Sequence, residues 1–251
     1  VYYANYLRFV ERAAFAAIGP SAVASALDTT PSLSFGIRSA NGIKYAAAAR
    51  LGDACVVDLE CHGLDDAGQL TMKASLLRQS DGAELWSAAD VRFGFVDAKS
   101  GVAVSEWPLP LDVDLTPPDD PCAKPVGEAP AAALGPSLEP PDLVLQPDVA
   151  SACGTVDLHA AARYFERHRT TYLGGPDKLE ALASDNSINV VVARINQLRL
   201  LPAAHAARIG TPLEVRCAVK VKARGTQVVF DQWLVHGETE EPLAKGEVTC
   251  L

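Results

Sequence analysis

The sequence predicts an α+β chain made of two copies of one unit, each an antiparallel sheet wrapped round a long central helix. Three observations carry this. A long segment repeats; within each copy the hydrophobic period changes once, from helical to strand-like; and short Gly- and Asp-rich turns separate the strand-like runs. The repeat is read from Val1 to Arg12, VYYANYLRFVER, which returns from Val156 to Arg167 as VDLHAAARYFER, 155 positions later. Ala49-Arg50-Leu51-Gly52-Asp53 returns as Ala207-Arg208-Ile209-Gly210-Thr211, 158 positions later. Two anchors at nearly one offset indicate a tandem duplication, and two long units are not the many short ones of a solenoid.

The elements run in order along the chain. Over 2–17, apolar residues at 3, 6, 7, 10, 14 and 17 form a helical stripe, with Asn5, Arg8, Glu11 and Arg12 mostly off it. Gly19 and Pro20 are expected to stop that helix. Strands are expected over 32–45, 54–64, 70–79 and 84–96, with Asp65-Asp66-Ala67-Gly68 and Ser80-Asp81-Gly82 as turns. In the second copy a helix is expected over 157–173, stopped by Gly174, Gly175 and Pro176. Asp157 in its first turn suits the positive end of the helix dipole. Strands over 188–201, 213–223, 227–237 and 243–251 complete that copy.

Between the copies, residues 116–141 carry eight prolines and read as a semi-rigid extended linker. Leu143, Val144 and Leu145, between Pro141 and Pro147, then read as the first strand of copy two. The matching strand of copy one is expected upstream of Val1, because the chain begins inside the motif. The expected organisation is a first unit over 1–115, the linker over 116–141 and a second unit over 142–251.

Composition sets limits on function. The 251 residues, 49% hydrophobic, suffice for two cores. A net charge of −9 disfavours nucleic acid or an anionic membrane surface as partner, since both reward clustered Lys and Arg. No apolar run approaches the roughly 20 residues of a membrane-spanning helix. The cysteines at 55, 61, 122, 153, 217 and 250 form no CxxC pair and have no His at metal spacing, so no metal and no cofactor is expected. No NxS/T sequon is present, which favours a reducing intracellular compartment. A mitochondrion or plastid stays open, because any targeting peptide would precede Val1.

The segment VYYANYLRFVERA, from Val1, resembles the start of the central helix in hotdog-fold acyl thioesterases of the 4-hydroxybenzoyl-CoA thioesterase type, whose fuller motif is DxxGxVYxxNYLxxxExAR. The resemblance continues through residues 36–53, a long strand running into "ARLGD", and through 84–101, a closing strand and its exit. It implies a tandem double hotdog in which the two repeats pair as an intramolecular pseudo-dimer. It also implies an acyl-CoA or acyl-carrier-protein substrate hydrolysed at their interface, and leaves room for a larger assembly.

The resemblance further implies that backbone N–H groups at a helix N-terminus stabilise the oxyanion, at Gly154, Thr155 and Val156 in copy two. The Asp of DxxG would attack or activate water. Here the chain departs from the pattern. With Gly154 as the family glycine, Ser151 stands at the Asp position, and the matching position in copy one precedes Val1.

Substitutes are Ser151 activated by His159 or His168, whose ordinary reading is a cap or loop hydroxyl; Asp148, which needs a shifted register; and Cys153, whose ordinary reading is a small filler. Glu11 and Glu166, each followed by an Arg, occur in both copies and fit either an interface pocket or a solvated helix face. Asn5 matches the family's helix Asn, while copy two has Ala160. Copy one thus retains Tyr2 and Tyr3 as substrate-binding candidates and Asn5, Glu11 and Arg12 as catalytic ones. Copy two reads as a degenerate half. A similar VYY…N…LR…R run in enediyne polyketide thioesterases, which do not rely on that Asp, directs attention to Arg12. Two classes remain: an acyl thioesterase with one working site, or a catalytically inactive hotdog protein that binds acyl groups or serves as a structural subunit.

Overall fold

The structure, a computed structural model, describes residues 4–30, 32–97, 99–109, 142–143, 155–187 and 190–251. The expected linker over 116–141, and Tyr2, Tyr3, Asp148, Ser151, Cys153 and Gly154, lie outside the described residues. The apolar stripe of the first repeat becomes α1 (Asn5–Ile18), which buries Tyr6, Leu7, Val10 and Ala14. The second repeat becomes α3 (Leu158–Tyr172). Asp157 caps it, its carboxylate accepting the Ala160 N–H at 2.6 Å and satisfying one of the helix's orphan amides.

The proline stops need correcting. Gly19 does break α1, with φ 101°, but Pro20 opens a second helix, α2 (Pro20–Thr29). In the other half Gly174 and Gly175, with φ 99° and 88°, end α3, and Pro176 opens α4 (Pro176–Asn186). Proline at the first helical position loses no hydrogen bond and its φ is already helical, so a Gly-Pro pair turns the axis rather than ending helical structure. Each proline leads into a run of helix-compatible residues, largely Ala, Leu, Ser and Asp.

The first half continues with β1 (Leu33–Tyr45), β2 (Cys55–Leu64), β3 (Leu70–Arg78) and β4 (Glu84–Asp97). A two-residue β5 (Asp142–Leu143) precedes α3, and β6 (Val192–Leu200), β7 (Pro212–Lys222), β8 (Gln227–His236) and β9 (Pro242–Cys250) come after α4. All join one sheet in the order β2-β3-β4-β1-β6-β9-β8-β7-β5. The order is mirrored about its middle. In each half the first long strand lies at the centre, the last lies beside it, and the other two step outward.

The two halves meet where β1 and β6 run antiparallel, with Ser39 opposite Arg199, Asn41 opposite Gln197 and Ile43 opposite Ile195. One apolar cluster spans both halves: Leu7, Val10, Ile43 and Trp86 from the first, and Tyr164, Phe165 and Phe230 from the second. The Tyr6 ring stacks on Trp86, centroids 6.4 Å apart, and its hydroxyl accepts the Ala49 N–H at 3.2 Å, tying α1 to the Ala49–Asp53 segment that has its echo at 207–211. No described helix is long and apolar enough to cross a membrane.

The clearest packing constraint in the second half is Gly246 on β9. A Cβ there would stand 2.8 Å from two carbons of the Phe165 ring, which is fully buried beneath α3. Gly246→Ala is therefore expected to destabilise the protein by about 1–3 kcal/mol through overpacking, read as a lower urea midpoint at unchanged slope.

Candidate functional site

The helices meet through polar groups near their starts. Arg8 Nε on α1 donates to His159 Nδ1 on α3 at 3.1 Å, and His159 Nε2 lies 3.2 Å from Asn5 Oδ1. Because Arg8 can only donate, Nδ1 must present its lone pair. The ring proton then sits on Nε2 and is donated to Asn5. This arrangement holds the start of α3 against the first turns of α1.

Beside that contact lies a cavity of about 310 Å³. Glu11, Arg12 and Phe15 of α1 form one wall, Gly36, Ile37 and Arg38 of β1 another, and Thr155, Val156 and Asp157 at the start of α3 a third. Its size is at the lower end of small-molecule sites. The Ile37 N–H lies toward the Glu11 carboxylate and favours its ionised form. The carboxylate also lies so close to the strand that a Cβ on Gly36 would stand 3.1 Å from Oε1, so glycine at 36 leaves it room.

Burial pushes the Glu11 carboxyl above its ordinary range, and the negative charge of Asp157 pushes it further; the Ile37 N–H, Arg8 and Arg12 pull the other way. Burial also pulls the Arg38 guanidinium down from 12.5 to about 10. The matching acid of the second half, Glu166, is pushed up to about 7 by burial, against the pull of Arg169 and Arg167. Its surroundings differ: Arg169 Nη1 donates to Gln232 Oε1 at 2.6 Å, and Gln232 Nε2 donates to the Phe165 carbonyl at 2.9 Å. Among the described residues no group of His, Cys, Asp and Glu is arranged to hold a metal.

Of the residues singled out in the sequence, Glu11, Arg12, Thr155 and Val156 come together around the cavity. Asn5 stands at the helix contact, bonded to His159. The Val156 N–H is engaged with the Ala207 carbonyl at 3.1 Å. Tyr2, Tyr3, Ser151 and Gly154 lie outside the described residues. Sequence reasoning missed Asp157 as a cavity residue, having assigned it only to the helix dipole, and missed Arg38 and Gly36. An isolated glycine within a strand run was the available signal for Gly36, since it marks a close approach or a bulge.

No family model matches the sequence, and no curated protein sequence matches it. Solved structures do match. A 12:0-ACP thioesterase from Umbellularia californica is 8% identical with TM-score 0.61, over 89% of this chain and 75% of that one. An acyl-ACP thioesterase from Bacteroides thetaiotaomicron is 10% identical with TM-score 0.59, over 89% of this chain and 79% of that one. At such identities the likeness is one of fold: the chain has the α+β hotdog arrangement of these proteins over most of its length.

Two titrations test the electrostatics. Asp157→Asn keeps an oxygen for the helix cap and removes the charge facing Glu11, so Glu11 is expected to titrate at lower pH than in the parent, followed by its carboxyl carbon resonance. Glu166 favours its protonated form when folded, so its contribution to stability is full below 4.5 and is lost as pH rises through about 7. Glu166→Gln is accordingly expected to raise Tm relative to the parent at pH 8 and to leave the difference near zero at pH 4.

Proposed function

We propose that this chain is a hotdog thioesterase-like protein that hydrolyses an acyl-CoA or acyl-carrier-protein thioester in the cavity between α1 and the start of α3. The observation that carries the reading is the placement of Glu11: a carboxylate of one half, raised above its usual range, sharing a cavity with the N-terminal end of a helix from the other half. A base whose pKa is lifted toward the working pH is suited to activating water. In this reading the Glu11 carboxylate takes a proton from water as the oxygen adds to the thioester carbonyl. Arg12 and the N-terminal end of α3 border the space where the oxyanion forms. The tetrahedral intermediate expels the thiolate, which takes the proton from Glu11, leaving a free acid and a free thiol.

The mirrored strand order supports reading the chain as a tandem double hotdog of the 4-hydroxybenzoyl-CoA thioesterase type, with units at 1–115 and 142–251 and a linker at 116–141. The solved relatives of like fold bear the names of acyl-ACP thioesterases, which supports the substrate class.

Glu11→Gln is expected to lower kcat by about 100-fold or more with little change in KM, measured as thiol released from a series of acyl-CoA and acyl-carrier-protein substrates. A loss below tenfold would remove Glu11 from the role. Parent protein that binds acyl thioesters and releases no thiol above background would leave the non-catalytic acyl-binding reading in its place.

A further inference from the structure

We propose that Arg38 forms a subsite for an oxyanion, a carboxylate or a phosphate, borne by the ligand that enters the cavity beside Glu11. The inference rests on the hydrolase reading in one respect, that the ligand is an acyl thioester on a pantetheine arm.

The strand is shaped around this residue. On β1, Ile37 lies opposite Phe93 and Ser39 opposite Arg92, so the register slips at Arg38 and leaves it without a Cα partner on β4. The pairing with β6 begins only at Ser39. A slip of this kind is a β-bulge, which re-aims a side chain and recurs beside active sites. The neighbouring Gly94 keeps room for the stem, since a Cβ there would stand 3.3 Å from Arg38 Cγ.

Arg38 lines the cavity, yet its side chain has no hydrogen bond or ion pair with any described residue. Three other arginines of the sheet are ion-paired: Arg78 with Asp53 and Asp81, Arg92 with Asp65 and Asp90, Arg216 with Glu214 and Glu240. The carboxylates that share the cavity, Glu11 and Asp157, do not fill the role, since neither acts on the Arg38 guanidinium. Burial alone accounts for the weakened hold of Arg38 on its proton, with no charged neighbour contributing. A guanidinium held partly out of water without a counter-charge is costly, and its fork of donors matches carboxylate and phosphate oxygens in pairs. Within an acyl thioester such an oxyanion has two sources: a second carboxylate at the far end of the acyl chain, or the phosphate of the pantetheine arm.

Calorimetric binding to the full chain separates them with two probe pairs. One is 4′-phosphopantetheine against pantetheine; the other is the non-hydrolysable amide analogue of glutaryl-pantetheine against that of valeryl-pantetheine. At least one anionic probe is expected to bind about tenfold or more tightly than its neutral partner, as a charge-assisted hydrogen-bond pair implies. That advantage should vanish in Arg38→Gln and survive in part in Arg38→Lys, and the pair that shows it names the source. Equal affinity within both pairs for the parent protein, a comparison that needs no variant, would overturn the subsite. So would an advantage that persists in Arg38→Gln. Because binding is read without turnover, these outcomes stay distinct from failure of the hydrolase reading, which is judged by thiol release.

Discussion

The antiparallel pairing of β1 with β6 is the constraint on which the rest of the structure depends. It joins two short sheets into one and covers two central strand edges that would otherwise offer unpaired backbone groups. It also carries α1 and α3 to each other, so that Arg8, His159 and Asn5 form one hydrogen-bonded chain across the seam. The cavity is a product of that pairing. Glu11 and Arg38 come from one half and Asp157 and Leu200 from the other, and neither set encloses a space by itself.

Closing the seam takes charged groups out of water, and the two halves answer this differently. Glu11 and Glu166 stand at matching places in the repeat and both are pushed up by burial. Glu166 is flanked by Arg167 and Arg169, and Arg169 is itself engaged by Gln232. Glu11 instead faces a second carboxylate and an open cavity. Two acids at similar places in the two halves are thus chemically unequal through their neighbours, as titratable groups are when environments push their pKa values differently.

Much of the fold was legible in the sequence because burial within one unit writes itself locally. The stripe of Tyr6, Leu7, Val10 and Ala14 sits at helical spacing and forms the buried face of α1. The strands fall within a few residues of their expected limits, with Asp65 to Gly68 bridging β2 and β3 as the turn chemistry required. The second helices α2 and α4 were not legible, because Gly-Pro announces the end of one helix and the start of the next with the same residues. Of the site, Glu11 and Arg12 were found through the repeat and Thr155 and Val156 through the family resemblance, whereas the seats of Asp157, Gly36 and Arg38 beside Glu11 were not.

The sequence by itself determined that helices pack on an antiparallel sheet in each half of the chain, and that an acid followed by an arginine recurs at Glu11 and Glu166. Only the tertiary structure decided which end of which helix Glu11 faces, that Asp157 both caps α3 and borders the cavity, and that Arg38 lines it without a partner among the described residues. The physical reason lies in range. Periodicity reports how a side chain meets its own unit, while contacts between residues some 150 positions apart depend on the register of β1 on β6 and on a single slip at Arg38, which no local pattern records.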